Sequence, residues 1–202
     1  MGKIYILIGK SASGKDAIYK RLLNDERLHL HPYVGYTTRP IRDGEENGRE
    51  YFFSNCQELE QFESSEKLIE KRVYHTVHGD WYYFSVDNAS VDLTKYDYLY
   101  IGTLESYLPI RKYYGVDKVI PLYINVEDGV RLQRALDRER QQQTPKYAEM
   151  CRRFLVDTED FSPENIAAAG ILQIFENQDL DLCVSEICGY IQKMQQTEKG
   201  SE

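Results

Sequence analysis

A short glycine-rich segment between a predicted strand and a predicted helix constrains the fold of this chain more than any other feature. The segment GKSASGKD, residues 9–16, fits the pattern G-x-x-x-x-G-K, with aspartate where serine or threonine normally follows the lysine. It follows the apolar run 3–8 directly and precedes a stretch, 15–24, whose apolar residues share one helical face. Strand, glycine turn and helix in this order are typical of the opening of an α/β fold.

Each residue type in this loop suits a bound anion. Glycines allow successive backbone N–H groups and the helix N-terminus to face a phosphate, and Lys15 would neutralise its oxygens. We therefore predict phosphate binding and not a plain glycine turn. Asp16 could replace the usual hydroxyl as a Mg²⁺ ligand, although a carboxylate also repels a triphosphate. The alternative for Asp16 is an acidic residue that stabilises the first helical turn.

Later segments continue the alternation of strands and helices. The further strand candidates are the runs 98–101, 118–124 and 171–175. Helical stretches are expected from about Thr103, from near Glu127, and from about Leu180 to Met194. This order predicts a parallel sheet wrapped by helices.

Two regions differ in composition from the rest of the chain. Residues from about 33 to 86 are crowded with Tyr, Thr, Gly and charge, with strand-like pieces at 50–53 and 81–84, and predict an inserted mixed lobe. Residues 131–153 carry seven basic and three acidic side chains, a local +4 in a chain of −8. The overall acidity argues against DNA-backbone binding, so we expect a local polyanion site and no nucleic-acid partner.

Composition also bears on location. No apolar run approaches the ~18 residues that span a bilayer, and the first residues lack a signal-peptide pattern. The four cysteines, Cys56, Cys151, Cys183 and Cys188, have no C-x-x-C spacing. We expect reduced thiols, no membrane partner and a cytoplasmic location.

A second dense cluster lies at 37–51, TTRPIRDGEENGREY. Arg39 and Arg42 are three residues apart, with Pro40 between them and a glycine-rich turn and Tyr51 after them. Such a group can converge several donors on one phosphate. A solvated charged loop is the alternative.

Together with the loop at 9–16, the segment TTRPIRDGEENGREYFF, 37–53, resembles the guanylate kinase signature TTR-x-P-R-x-G-E-x-x-G-x-x-Y-x-F, with the proline moved by one position. Four further segments resemble those of that family in the same order: LIE at 68–70, HGDWYY at 78–83, LQRALDR at 132–138 and ENQDL at 176–180. The resemblance covers nearly the whole chain.

The resemblance implies an α/β P-loop NTPase fold, with a parallel sheet flanked by helices, an inserted NMP-binding lobe and a helical lid. It implies a single domain over 1–196, followed by a polar tail at 197–202. Within that domain we expect core segments at 1–32, 91–130 and 160–196, the lobe at 33–90 and the lid at 131–159.

The same resemblance implies phosphoryl transfer from MgATP to a nucleoside monophosphate, with GMP as first candidate. The implied catalytic residues are Lys15, Arg134, Arg138 and Arg153. The implied ATP-binding residues are Gly9, Ser11, Ala12, Ser13, Gly14, Lys15, Asp16 and Asn177. The implied acceptor-binding residues are Thr38, Arg39, Arg42, Tyr51, Glu70, Tyr82 and Tyr83. Mg²⁺ is the expected cofactor, with Asp16 as the candidate ligand.

Glu70 has a chemical argument of its own. A carboxylate only accepts hydrogen bonds, and guanine offers adjacent N1–H and N2–H donors, whereas adenine has no such pair. Guanine should be preferred over adenine if Glu70 faces the base. The alternatives are a surface glutamate for Glu70 and a solvated helix face for the lid arginines.

The chain departs from the family pattern at several positions. The family's serine four residues before the first arginine is Gly35 here, and its D-x-D is Tyr100-Ile101-Gly102. A base contact and a metal-organising carboxylate are therefore missing. The chain is longer than the pattern between Glu70 and His78, and Tyr-Phe-Ser at 83–85 replaces Y-G-[ST]. The choice between Tyr82 and Tyr83 as the second phosphate-binding tyrosine stays open.

Two other functions remain open. One is a kinase of the same fold with another acceptor; the other is a binding module that holds a phosphorylated or acidic partner in the lobe. The intact Lys15 and the basic lid argue against the binding module. His75 and His78 are expected to be structural, and the oligomeric state is not predicted.

Overall fold

The computed structural model describes residues 1–76 and 79–199. His78 and the tail residues 200–202 lie outside the described residues. Within the described part, the elements in chain order are β1 (Ile4–Ile8), α1 (Lys15–Leu23), β2 (Leu30–Pro32), β3 (Tyr36–Thr37), β4 (Phe52–Phe53), α2 (Cys56–Ser64), β5 (Leu68–Thr76), β6 (Gly79–Val86), β7 (Asp97–Ile101), α3 (Leu104–Tyr114), β8 (Val119–Asn125), α4 (Asp128–Arg140), α5 (Tyr147–Asp160), α6 (Pro163–Ala168), β9 (Ile174–Glu176) and α7 (Leu180–Lys199).

The core is a parallel sheet with strand order β2-β7-β1-β8-β9. All five residues of the central strand β1 are buried, as its unbroken apolar sequence requires. Alternate β1 side chains belong to two separate hydrophobic clusters, one on each face of the sheet. Ile6 faces Tyr107 of α3, whereas Leu7 faces Ile18 of α1 and Ile187 of α7. The predicted α/β class, a parallel sheet flanked by helices, is confirmed.

A second, four-stranded sheet lies within the segment predicted as the inserted lobe. Its order is β4-β3-β6-β5, and β5 and β6 pair in antiparallel orientation. Helix α2 covers one face through Leu59, which packs with Phe84 and Val86 of β6. The other face is left for the polar and aromatic side chains described below.

Several element boundaries differ from the prediction. The last strand begins at Ile174 and not at Ile171, because Gly170 and Ile171 close the end of α6. The Gly170 N–H donates to Ala167, the Ile171 N–H donates to Ile166, and Gly170 has φ of 68°. Helix α7 continues past Met194 to Lys199, three residues into the predicted tail.

The described residues also bear on the expected membrane and thiol properties. No helix among residues 1–76 and 79–199 is both long and apolar enough to cross a bilayer. All four cysteines are free thiols, and burial raises the pKa of Cys183 to about 11.

Candidate active site

The glycine-rich loop connects β1 to α1 at the carboxyl edge of the core sheet. Gly14 has φ of 93° and precedes the first residue of α1, and a Cβ at this position would lie 2.4 Å from Asn177 Nδ2. The same Asn177 Nδ2 donates to the Ser13 carbonyl at 2.7 Å. The close approach explains why a glycine stands at position 14.

Lys15 folds back over its own loop. Its Nζ donates to the carbonyl of Gly9 at 2.6 Å and to that of Lys10 at 3.0 Å. Burial lowers the pKa of Lys15 from 10.5 to about 8, although the carboxylates of Asp157 and Asp16 oppose this shift. The ammonium is thus held beside carbonyl dipoles with its charge only partly compensated, which favours a bound anion.

A cleft of about 190 Å³ opens beside the loop. Its lining combines the loop with two arginines of α4, and consists of Ala12, Ser13, Gly14, Lys15, Asp16, Arg134 and Arg138. Three cationic side chains and one carboxylate therefore surround one cavity. Arg134 is oriented by a hydrogen bond from its Nη2 to the Asn177 carbonyl at 3.0 Å.

The remaining predicted lid arginine also reaches the loop. Arg153 of α5 donates from Nη2 to Ser11 Oγ at 3.0 Å. The structure therefore brings together the residues predicted for catalysis and for ATP binding.

A buried ionic group behind the loop was not assigned a role from the sequence. Only 1% of the Arg131 side chain is exposed, and its guanidinium contacts Asp128 at 2.9 Å, Asp157 at 3.4 Å and the Ser11 carbonyl at 3.1 Å. Asp157 in turn accepts from the Ser11 N–H at 2.7 Å. The basic run 131–153 included Arg131, but Asp157, one of three acids within 157–160, carries no motif that marks it.

In the lobe, the predicted phosphate-binding arginines have different surroundings. Arg39 is buried, and its Nη atoms donate to both Glu45 oxygens at 2.7 and 2.6 Å. This hydrogen bond is the main cause that lowers the pKa of Glu45 to about 2. Arg42 is exposed, and its backbone N–H donates to Glu45 at 2.9 Å. The Glu45 carboxylate therefore organises this turn and occupies both Nη donors of the Arg39 guanidinium, its fork.

The predicted tyrosines lie on opposite faces of the lobe sheet. The centre of the Tyr51 ring lies 5.3 Å from Arg39 Cζ and 5.5 Å from the centre of the Tyr83 ring. Tyr82 packs on the other face with Phe84. Thr38 pairs with Tyr82 along the strand, and its hydroxyl accepts from the Tyr82 N–H at 2.9 Å. Tyr83, Tyr51 and Arg39 are thus grouped, whereas Tyr82 is not.

Comparisons with known proteins agree with this architecture. Residues 1–91 match the family model described as guanylate kinase. The guanylate kinase of Porphyromonas gingivalis is 31% identical over 130 residues, which are 61% of this chain and 65% of that protein. That of Fusobacterium nucleatum is 31% identical over 132 residues, 65% of this chain and 57% of that protein. The matches thus span less than two thirds of these relatives' length.

The fold comparison covers almost the whole chain. The crystal structure of guanylate kinase from Anaplasma phagocytophilum matches with a TM-score of 0.62 at 20% identity, over 96% of this chain and 86% of that one. The chain is thus similar in sequence to guanylate kinases over part of its length, and in fold over almost all of it. The predicted P-loop NTPase fold is confirmed.

Of the two glycines that depart from the guanylate kinase pattern, Gly102 has a steric basis. A Cβ at Gly102 would lie 2.8 Å from Ile6 Cγ2 and 2.9 Å from Ser106 Oγ. The aspartate expected there by the family pattern does not fit without movement of the core. At Gly35 the nearest atom to a Cβ would be 3.5 Å away, so a serine would be tolerated.

Glu70 is not the free carboxylate that the sequence argument required. Its Oε2 accepts from Arg72 Nε at 3.0 Å, and its Oε1 accepts from Ser85 Oγ at 3.0 Å. Only 2% of the Glu70 side chain is exposed, which also excludes the surface glutamate. His75, expected to be structural, is exposed and contacts Asp80 at 2.7 Å.

Proposed function

We propose that this chain transfers the terminal phosphoryl group of MgATP to a nucleoside monophosphate, with GMP as the first candidate. The observation that carries the proposal is the cleft in which Lys15, Arg134 and Arg138 surround an intact phosphate loop. Three converging cations suit the charge of a triphosphate and of the phosphoryl group in transfer.

On the ATP side, the backbone of residues 9–14 would bind the phosphates at the N-terminus of α1. Lys15 would exchange its two carbonyl partners for phosphate oxygens. Arg134, Arg138 and Arg153 would neutralise the charge that develops between donor and acceptor. Asn177 would keep the loop in shape through Ser13.

On the acceptor side, Arg39, Tyr51 and Tyr83 would bind the acceptor phosphate, with exposed Arg42 as a further contact. Glu45 now occupies the Arg39 fork, so an arriving phosphate must displace that carboxylate or bind beside it. Of the two candidate tyrosines we propose Tyr83, because it shares a face with Tyr51.

The chemistry asks little covalent work of the protein. The acceptor is itself an anionic phosphate, so no strong general base is needed, and positioning with charge neutralisation suffices. A closed lid would also exclude water that otherwise hydrolyses ATP.

The donor set of the cleft fits Mg²⁺ that arrives with the nucleotide. Asp16 supplies one carboxylate oxygen ligand, and among residues 1–76 and 79–199 no group of three or more His, Cys, Asp or Glu could hold a metal alone. Mg²⁺ commonly takes one or two carboxylates beside substrate phosphates and waters. When bound, the ion would neutralise charge on the transferred phosphate, with Asp16 as its protein ligand.

A kinase with another acceptor is the second candidate, because the Glu70 carboxylate is already bonded. A coupled ADP-release assay with GMP, dGMP, AMP, CMP and UMP tests both. We expect turnover with GMP, its loss in Lys15→Met, and normal turnover in Lys20→Met, an exposed residue of the same helix. Full turnover in Lys15→Met would contradict the proposed site, and turnover with another nucleotide alone would select the second candidate.

The domain boundaries and the cytoplasmic location stay predictions. A binding module for an acidic or phosphorylated partner would bind such a peptide and show no turnover with any acceptor. That result would replace both kinase candidates.

A further inference from the structure

A buried ion pair fills the part of the lobe where Glu70 was expected to face a base. Glu70 and Arg72 are two residues apart on β5 and therefore point to the same face. Arg72 donates from Nε to Oε2 at 3.0 Å and from Nη2 to Oε1 at 3.3 Å. Ser85 adds a third donor. The carboxylate oxygens are thus engaged by the protein itself.

Arg72 also joins the lobe to the core sheet. Its Nη1 donates to Thr103 Oγ1 at 3.3 Å and its Nη2 donates to the Tyr100 hydroxyl at 3.4 Å. A guanidinium has five N–H donors and no acceptor. Four of the five donate to Glu70, Thr103 and Tyr100, so at most one N–H, on Nη1, remains for a ligand. Beyond Glu70, Arg72 therefore offers a single N–H donor.

Tyr100 links this donor group to the two glycines that depart from the family pattern. A Cβ at Gly35 would lie 3.6 Å from the Tyr100 hydroxyl, and one at Gly102 would lie 3.2 Å from Tyr100 Cε1. The Tyr100 ring is thus adjacent to both positions. Gly35, Tyr100 and Gly102, which all depart from the family pattern, are therefore adjacent. Arg72 contacts this group through the Tyr100 hydroxyl.

The aromatic face of the lobe connects Arg72 with Arg39. Tyr83 is the cross-strand partner of Arg72, and its ring lies 5.5 Å from that of Tyr51. Tyr51 in turn packs against the Arg39 guanidinium. The face therefore carries, in order, the proposed phosphate site at Arg39, the rings of Tyr51 and Tyr83, and Arg72. The phosphate, sugar and base of a nucleotide follow the same order.

We propose that Arg72, oriented by Glu70, determines base specificity by donating its remaining Nη1 N–H to O6 of a 6-oxopurine. The inference rests on the proposed function and names the base edge that the acceptor site reads. Guanine O6 accepts a hydrogen bond from arginine, whereas adenine presents an amino group in place of O6. The 2-amino group of guanine, which a free Glu70 would bind, meets a carboxylate that already accepts three hydrogen bonds.

Inosine monophosphate gives the decisive comparison, because it keeps O6 and N7 and lacks only the 2-amino group. For the unmodified protein we expect kcat/KM for IMP within about threefold of that for GMP, and AMP at least about tenfold lower than both. A free carboxylate would instead favour GMP over IMP by about 10- to 100-fold, the value of a hydrogen bond to a charged group. That result, or a preference for AMP or a pyrimidine nucleotide, would overturn the proposal.

Arg72→Met tests the residue directly, with Lys71→Met as a matched control on the opposite face of β5. Removal of Arg72 frees the Glu70 carboxylate, so the GMP-to-IMP ratio should rise about tenfold or more, while Lys71→Met should keep the ratio of the unmodified protein. An unchanged ratio in folded Arg72→Met, checked by thermal unfolding, would contradict the role.

If Arg72→Met does not fold, the comparison of GMP, IMP and AMP on the unmodified protein still decides. If no nucleotide is phosphorylated, the proposed function fails, and calorimetric binding of GMP, IMP and AMP tests Arg72 separately. Equal binding of GMP and IMP with weaker AMP supports the inference; no binding of any of them overturns it.

Discussion

Arg153 and Ser11 are 142 residues apart in the chain, yet the Arg153 guanidinium donates to the Ser11 hydroxyl at 3.0 Å. The helix that follows the basic α4 therefore touches the phosphate loop directly, with Asp157 of the same helix bonded to the Ser11 N–H. Contacts from α5 reach both the hydroxyl and the backbone of one loop residue.

The first prediction concerns this contact. Arg153→Ala should lower kcat by about 10²- to 10³-fold, because a positioned cation near the transferred phosphate is lost. The neighbouring Arg152 pairs with Glu149 and is 58% exposed, so Arg152→Ala should change kcat little. Steady-state kinetics of both variants measure the difference, and equal effects would remove Arg153 from the catalytic group.

The second prediction follows from the pKa of Lys15, which burial lowers to about 8. Bound phosphates favour the ammonium and raise this pKa, so ATP binding above pH 8 should take up a proton. ATP affinity should therefore fall as the pH rises through about 8 and beyond. Calorimetry at pH 8.5 in two buffers of different ionisation enthalpy measures the uptake.

Lys15→Met is the control for that measurement, and its ATP binding should not be accompanied by this proton uptake. Identical heats in both buffers for the unmodified protein would show that Lys15 does not change protonation on binding.

The third prediction separates the two substrates. Arg39→Ala and Arg42→Ala should weaken acceptor binding much more than ATP binding, because both residues lie in the lobe and outside the cleft lined by Lys15. Arg49→Ala provides the control, since Arg49 is an exposed cation of the same loop that pairs with Glu46 and Glu50. Calorimetric titrations with each nucleotide decide, and equal weakening of both would contradict the assignment.

The fourth prediction addresses the metal. Asp16→Ser restores the hydroxyl that the loop pattern normally carries, and should change the ratio of Mg²⁺-supported to Mn²⁺-supported activity. An unchanged ratio would mean that Asp16 acts only on the first turn of α1.

The parts of this fold that were predictable are those with a local pattern. The apolar run before Gly9 predicted β1, and the apolar face of 15–24 predicted α1. In both cases the hydrophobic pattern is contained in residues close together in the sequence. The edge strand β2 was missed, since three residues ending in proline give no periodicity. Ile171 was wrongly assigned to the last strand, because its backbone N–H closes the end of α6 by donating to Ile166.

Within the site, sequence patterns predicted residue types better than partners. The loop and the lid arginines were found by motif; the structure brings Arg134 and Arg138 to the cleft beside the loop and Arg153 to Ser11. The engagement of Glu70 by Arg72 was not foreseen, although the two are neighbours on one strand face. Whether a carboxylate meets a ligand or another side chain depends on the rotamers and on distant residues such as Tyr100 and Thr103, which local spacing does not report.

The hydrogen bond from Asn177 to the Ser13 carbonyl joins positions 164 residues apart. The loop motif is therefore synthesised well before the side chain that supports it. A ribosome-bound or truncated chain can thus contain the complete motif without its supporting contact. Nucleotide binding by this protein should accordingly report that the last strand has joined the sheet, and not only that the motif has been made.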